Sequence, residues 1–155
     1  MEAALAAGVL LCLVPQSTLM LQRATMLSPE GRSKTLDASA DGYVRGETCK
    51  AVLLRPAALV EPQELLGLVA GSMVNTNGRA SSLTAPHGPS QQALLRDALA
   101  SAGLSPFDID GLQMHSNGTA LGDPIETGAA AAVLLVSHLV SLQRCQPTAS
   151  NPADA

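Results

Sequence analysis

The stretch M-H-S-N-G-T-A-L-G-D-P-I-E, Met114 to Glu126, decides how the rest of this 155-residue chain is read. An apolar run containing Ile109, Leu112 and Met114 leads into it, which reads as a strand carrying the His115 imidazole to its tip. A hydroxyl-rich turn follows, then Gly122-Asp123-Pro124 and a helix opening at Ile125 and Glu126. The first turn of a helix carries backbone N–H groups with no intrahelical partner. Imidazole, hydroxyls and N–H groups would therefore face one space, an arrangement suited to a carbonyl or an anion. A histidine at a strand end is, by itself, more often a hydrogen-bonded structural residue. The functional reading has to be carried by the rest of the chain.

Composition narrows the class. Hydrophobic residues make up 46% and charged residues 14%, the balance of one globular domain and not of a disordered chain. Tyr43 and Phe107 are the only aromatics, so the core must be built from Leu, Val, Ala and Met. The net charge of −4 and the lack of a Lys/Arg cluster exclude nucleic acid and anionic membrane as expected partners. Cys12, Cys49 and Cys145 are scattered, without disulfide or zinc spacing, so no metal and a reducing, cytoplasmic setting are expected. Ala3–Val14 is apolar but follows Glu2, lacks a cleavage pattern and is too short to span a bilayer; a buried strand or helix end is expected.

Beyond Pro15, Ser17 is a candidate cap for a helix over 18–26. Ser28 to Gly31 is a turn, and 32–50 is polar and glycine-rich, a long loop crowded with specific polar residues. Ala51–Arg55 reads as a buried strand, Leu65–Val74 as another interrupted by glycines, and Asn75–Gly78 as a turn. The clearest helix starts at Pro89 or Ser90, lines Leu94, Leu95, Ala98, Leu99 and Ala102 along one face, and stops at Gly103. A strand ending at His115 follows. The last helix runs from about Pro124 towards Val140, with Ala129–Ala132 allowing close packing, and the tail from Gln146 reads as disordered. Alternating, buried strands and helices imply an α/β fold.

Three stretches together resemble one family: S-P-E-G-R-S-K-T-L-D-A-S-A-D-G-Y-V-R-G-E (28–47), V-N-T-N-G-R-A-S-S-L-T-A-P-H-G-P-S-Q-Q (74–92) and H-S-N-G-T-A-L-G-D-P-I-E (115–126). They are similar to the β-ketoacyl synthases, the condensing enzymes of fatty acid and polyketide synthesis, in the style of a type I polyketide synthase. The resemblance implies an incomplete thiolase-like α/β fold, the end of the first half and the start of the second. On this reading residues 1–140 are a partial synthase domain and 141–155 an unmatched tail. It implies a decarboxylative condensation of acyl and malonyl-type thioesters held on the phosphopantetheine of an acyl carrier protein, with no cofactor bound by this chain. His115 falls on the first histidine of the family, which donates a hydrogen bond to the thioester carbonyl. Asn117 and Thr119 fall on the two positions that contact the phosphopantetheine arm, and Glu126 on an acidic position near the site. Implied partners are the acyl carrier protein and either a second copy or the rest of a synthase.

The same resemblance places the family's nucleophilic cysteine ahead of Met1 and its second histidine beyond the last matching helix, so the chain is expected to be inactive alone. Cys49 is the tempting substitute, with His115 as its base in a hydrolase-like pair. Its context, G-E-T-C-K against the family's G-E-G-C-G, instead predicts an inert, buried strand thiol. His138 lacks the context of the second histidine. Ser116 replaces a glycine and Asn117 a threonine within the histidine motif, while Thr48 and Lys50 replace glycines. Ser116 adds a side chain where the backbone has to pass close to the substrate arm, and if either glycine replaced by Thr48 or Lys50 has positive φ, the side chain there costs roughly 1 kcal/mol or more. The alternative is a non-catalytic module that binds a synthase partner or a carrier protein through the turn after His115.

Overall fold

The computed structural model describes residues 3–78 and 85–135. Its regular elements are β1 (Ala4–Leu10), α1 (Pro15–Arg23), β2 (Thr48–Leu54), α2 (Gly88–Ala102) and α3 (Gly122–Ala130). Short 3-10 turns lie at Ala57–Leu59, Pro62–Glu64 and Pro106–Asp108, and a π turn continues α3 over Ala131–Leu135. The described residues fall into two compact units. One holds the chain up to Ala70 together with His115–Pro124, and the other Gly71–Met114 together with the chain from Ile125.

In the first unit β1 and β2 pair antiparallel, in register from Ala4 opposite Leu54 to Leu10 opposite Thr48. The expected strands are present but not buried. Leu5 is 72% exposed, Val9 62% and Leu53 63% on one face, and Val52 and Leu54 are exposed on the other. A pleated strand sends alternate side chains to opposite faces, so a strand apolar at nearly every position needs cover on both sides. Among the described residues, this ladder has it on neither. β2 starts at Thr48, three residues before the expected Ala51, and takes in both Thr48 and Lys50 as extended residues. Neither has positive φ, so the penalty expected for replacing those glycines does not arise.

Helix α1 begins earlier than predicted because Pro15 occupies its first turn, where the missing N–H costs no bond. Ser17 is not the cap; its hydroxyl donates to the Val14 carbonyl at 3.2 Å. The long polar loop after α1 is held at its C-terminal end. The Arg45 guanidinium donates to Ser17 Oγ at 2.9 Å, and Glu47 Oε1 accepts from the Cys12 N–H at 2.7 Å. Within it, Ser28 N–H donates to the Tyr43 carbonyl and Tyr43 N–H to the Met26 carbonyl, drawing Gly42 against the backbone of Leu27 and Ser28. A Cβ at Gly42 would lie 2.6 Å from both, so only glycine fits there.

In the second unit α2 matches its predicted span within a residue or two and half-buries the expected face, Leu94, Leu95, Ala98, Leu99 and Ala102. Gly103 ends it in the left-handed conformation (φ 67°). Its start is capped by His87, whose Nδ1 accepts from the Ser90 N–H at 3.3 Å and lies 2.8 Å from Ser90 Oγ. Asn75 Nδ2 reaches the Ser90 carbonyl at 2.7 Å. The small core gathers where α3 passes into the π turn: Ala129, Ala130 and Val133 are buried, as is Ala85. The alanine run packs closely, as its composition predicts, and the π turn lies against α2 and the Pro106–Asp108 turn.

Two predicted strands are absent. Leu65–Val74 and the run up to His115 are without ladder partners, since β1 and β2 form the one sheet among the described residues. An apolar run becomes a strand only when a neighbouring edge supplies hydrogen bonds. Gly71 instead packs against α2, where a Cβ would come within 2.9 Å of Ala102 N. The last helix starts at Gly122, before the expected Pro124; its predicted continuation, His138, Cys145 and the tail lie outside the described residues. So do Arg79 to Thr84 of the second matching stretch. No helix among the described residues is long and apolar enough to cross a membrane.

Candidate active site

The turn after His115 is fastened to the polar loop that follows α1. Thr35 Oγ1 donates to the Ser116 carbonyl at 2.7 Å. The Gly42 N–H donates to the Gly118 carbonyl at 3.0 Å. Asp123 lies in the first turn of α3, only 4% exposed, and its two carboxylate oxygens are used separately. Oδ2 accepts from the Leu36 N–H at 2.9 Å and Oδ1 from the Gly118 N–H at 3.2 Å. A carboxylate buried to this degree is tolerable because N–H donors replace its water, and a helix N-terminus favours negative charge. The Asp123 N–H in turn donates to the Thr119 carbonyl at 3.2 Å, closing the turn on itself.

Backbone conformation at this junction is unusual. Ser116 (φ 32°) and Leu36 (φ 56°) both have positive φ without being glycine, and Gly118 has φ 84°. A Cβ on Gly118 would lie 2.7 Å from the Lys34 N and 3.2 Å from the Gly42 O, so this glycine is dictated by space as well as by φ. Ser116, by contrast, holds a left-handed conformation with a side chain attached, a feature that reading the sequence did not anticipate at this position. Beside it, Lys34 Nζ lies 2.8 Å from Asp41 and 3.3 Å from Glu30. The hydrogen bond to Asp41 raises the Lys34 ammonium above the usual lysine value, and the same bond holds the Asp41 carboxyl below the ordinary carboxylate range. Asp37, bonded by the Ser39 N–H and hydroxyl, is likewise lowered.

Of the residues singled out in the sequence, His115, Asn117 and Thr119 share one turn. His115 is exposed, and Asn117 and Thr119 are half-buried. The Thr119 hydroxyl donates to Asn117 Oδ1 at 3.2 Å, so the two positions act as a pair. Glu126 sits on α3 in the other unit, half-buried. Cys49 is exposed in β2 opposite Val9, not buried as its motif predicted, because none of the described residues covers that face of the ladder. Among the described residues, no group of three or more His, Cys, Asp or Glu side chains is placed to hold a metal ion. Asp123, Thr35 and Leu36 were not picked out from the sequence as organisers of the site. The available signals were an aspartate in the first turn of a helix and a loop too polar to be a linker.

Comparisons with known proteins fit this geometry. A family model described as the β-ketoacyl synthase N-terminal domain matches residues 1–60, and one described as the β-ketoacyl synthase C-terminal domain matches residues 66–145. The chain is 48% identical over 134 residues to a phenolphthiocerol/phthiocerol polyketide synthase of Mycobacterium tuberculosis (strain ATCC 25618 / H37Rv), covering 85% of this chain and 6% of that protein. It is 46% identical over 127 residues to the polyketide synthase ThaG of Burkholderia thailandensis, covering 81% of this chain and 2% of that one. It therefore spans a small fraction of the length of these relatives. Among solved structures, the ketosynthase from module 6 of the bacillaene synthase of Bacillus subtilis 168 superposes with a TM-score of 0.83 at 37% identity, covering 88% of this chain and 25% of that one. The fold is thus thiolase-like and partial, and the chain belongs to the β-ketoacyl synthase family, with its relatives among the ketosynthase domains of polyketide synthases.

Proposed function

We propose that this chain supplies the carbonyl-polarising part of a ketosynthase that condenses acyl and malonyl-type thioesters within a cytoplasmic polyketide synthase. The observation that carries the reading is the fastening of the His115–Thr119 turn by the 28–47 loop: two of the three family-like stretches meet in one polar structure. His115 stands exposed on that turn. In the reaction, the bond between the malonyl α-carbon and its carboxylate breaks and carbon dioxide leaves. The electron pair passes into the thioester carbonyl as an enolate, and a hydrogen bond from the His115 imidazole stabilises the developing oxyanion. The α-carbon then attacks the acyl thioester, and the acyl group leaves its sulfur.

Asn117 and Thr119 are proposed to hold the phosphopantetheine arm. Because the Thr119 hydroxyl donates to Asn117 Oδ1, the Asn117 amide N–H groups stay available to a carbonyl and the Thr119 oxygen to an N–H. Such a pair suits the amides of the arm. Glu126 is assigned a supporting role on α3. The chain spans a quarter of the solved ketosynthase chain it superposes on, and the nucleophilic cysteine and second histidine of the family are proposed to come from other parts of such a domain. We therefore expect an acyl carrier protein as substrate partner, no acyl transfer by the chain alone, and dependence on the remaining ketosynthase segments or a second copy.

The test pairs binding with labelling. Titrating holo acyl carrier protein into the labelled full chain is expected to shift the Asn117 and Thr119 amide resonances, whereas the apo form leaves them in place. Incubation with an acyl thioester is expected to leave the intact mass unchanged. An adduct lost on Cys49→Ala would replace this reading with a self-contained hydrolase. Identical silence with holo and apo carrier protein would end the pantetheine assignment.

A further inference from the structure

We propose that His87, Ser90 and Asn77 form a pH-sensitive switch at the start of α2, in which a proton on the His87 ring trades the helix cap for a tie to the 75–78 segment. The inference is independent of the condensing role and concerns the second unit by itself. Three observations carry it. His87 Nδ1 accepts the Ser90 N–H at 3.3 Å, so that nitrogen offers a lone pair and the ring is the neutral form with its proton on Nε2. The same Nδ1 lies 2.8 Å from Ser90 Oγ, and Ser90 Oγ lies 3.4 Å from the Asn77 carbonyl oxygen. A serine hydroxyl has one proton, so it donates to the ring or to the carbonyl and not to both. Finally, Asn75 Nδ2 donates to the Ser90 carbonyl at 2.7 Å, which keeps the 75–78 segment beside the helix start whichever way the hydroxyl points.

With the ring neutral, Nδ1 accepts from both Ser90 groups and caps α2. When Nδ1 takes a proton from solvent it becomes a donor. Nδ1–H then donates to Ser90 Oγ, the hydroxyl proton turns to the Asn77 carbonyl, and the Ser90 N–H loses its side-chain acceptor. The positive end of the helix opposes the imidazolium as well. Both effects loosen the first turn of α2 as pH falls through the range, roughly 8 to 5, in which histidine gains its charge. The charged groups around the ring are few. His87 forms no ion pair among the described residues. The segment 71–78 has no charged residue, and α2 carries Arg96 and Asp97 only further along. From α3, Ile125 stands 3.7 Å from where a Cβ on Gly88 would lie, and Glu126 follows it. Arg79 lies outside the described residues.

The His87 ring nitrogen signals and amide exchange along α2, followed against pH on the full chain, test the switch. The Ser90 protection factor, its exchange rate set against an unfolded chain at the same pH, is expected to fall roughly fivefold in acid, the size of change that loss of an N-cap brings. It should fall with the midpoint of the His87 ring signals, and the Asn77 carbonyl carbon should shift with the same midpoint. A Ser90 protection factor that stays flat across the His87 titration overturns the proposal before any variant is made. His87→Asn keeps a capping side chain that does not titrate, so its first turn should stay protected at both ends of the range. A pH dependence persisting there would assign the transition to Glu126 or another group and end the proposal equally. Ser90→Ala keeps the N–H and removes the hydroxyl, so the Asn77 response should vanish while the amide at position 90 still loses protection in acid. An Asn77 carbonyl that titrates as before in Ser90→Ala would show that no hydroxyl proton passes between ring and carbonyl, and the switch as drawn would be wrong.

Discussion

At the scale of single residues, Lys34 and Asp41 show how the loop after α1 stays closed beside the site. The Lys34 ammonium lies 2.8 Å from Asp41, and its side chain is only 11% exposed. The shared hydrogen bond lowers Asp41 and raises Lys34. The sign of the resulting pH dependence follows from each shift. A carboxyl depressed in the folded state contributes stability above its unfolded value, and that contribution is lost as pH falls through the lower folded value. An ammonium raised in the folded state contributes fully below its unfolded value and loses that share as pH rises past the folded one. Asp41→Asn is therefore expected to flatten both the acid and the alkaline limb of the denaturation midpoint against pH. Asp37 and Asp108, held low by Ser39 and Ser105, keep their part of the acid limb. Titration curves of the midpoint that coincide for Asp41→Asn and the unaltered chain would dismiss the latch.

Among the elements, α2 carries the plainest energetics, because its two ends are closed by identifiable groups. His87 Nδ1 accepts the Ser90 N–H, and Gly103 turns the chain out at φ 67°. Removing a side-chain cap costs about 1 kcal/mol, and forcing a Cβ into the left-handed region at the helix end costs roughly 1–2 kcal/mol. His87→Ala and Gly103→Ala are each expected to lower the stability of α2 by these amounts, read from amide exchange along 88–102. The caps lie at opposite ends with no shared partner, so the double variant should show the sum; a markedly smaller combined loss would mean that α2 draws its stability from elsewhere. The C-terminal stop was legible because glycine after a periodic run has one common meaning. The N-cap was not, because histidine lies outside the usual capping set.

For the molecule as a whole, the consequential feature is the apolar ladder of β1 and β2, exposed on both faces. Two strands alone expose unpaired edges as well as apolar faces, a template for association. The full chain is expected to bind a hydrophobic dye and to associate with rising concentration, and Val9→Lys with Leu53→Lys should suppress both effects in light scattering. A monomeric, dye-silent chain would contradict it. Reading the residues in order was enough to establish the family, the helix with its apolar face and stop, and the strand character of Ala51–Arg55. Those features are local, set by motif, periodicity and turn chemistry within a few residues. Folding in three dimensions settled which apolar runs became strands, since Leu65–Val74 and the approach to His115 pair with no edge among the described residues. It also settled that Asp123, which holds Gly118, reaches Leu36 across 87 residues of chain, and that Ser116 is held left-handed. A hydrogen bond between distant segments leaves no periodic trace in either, and only folding brings its donor and acceptor together.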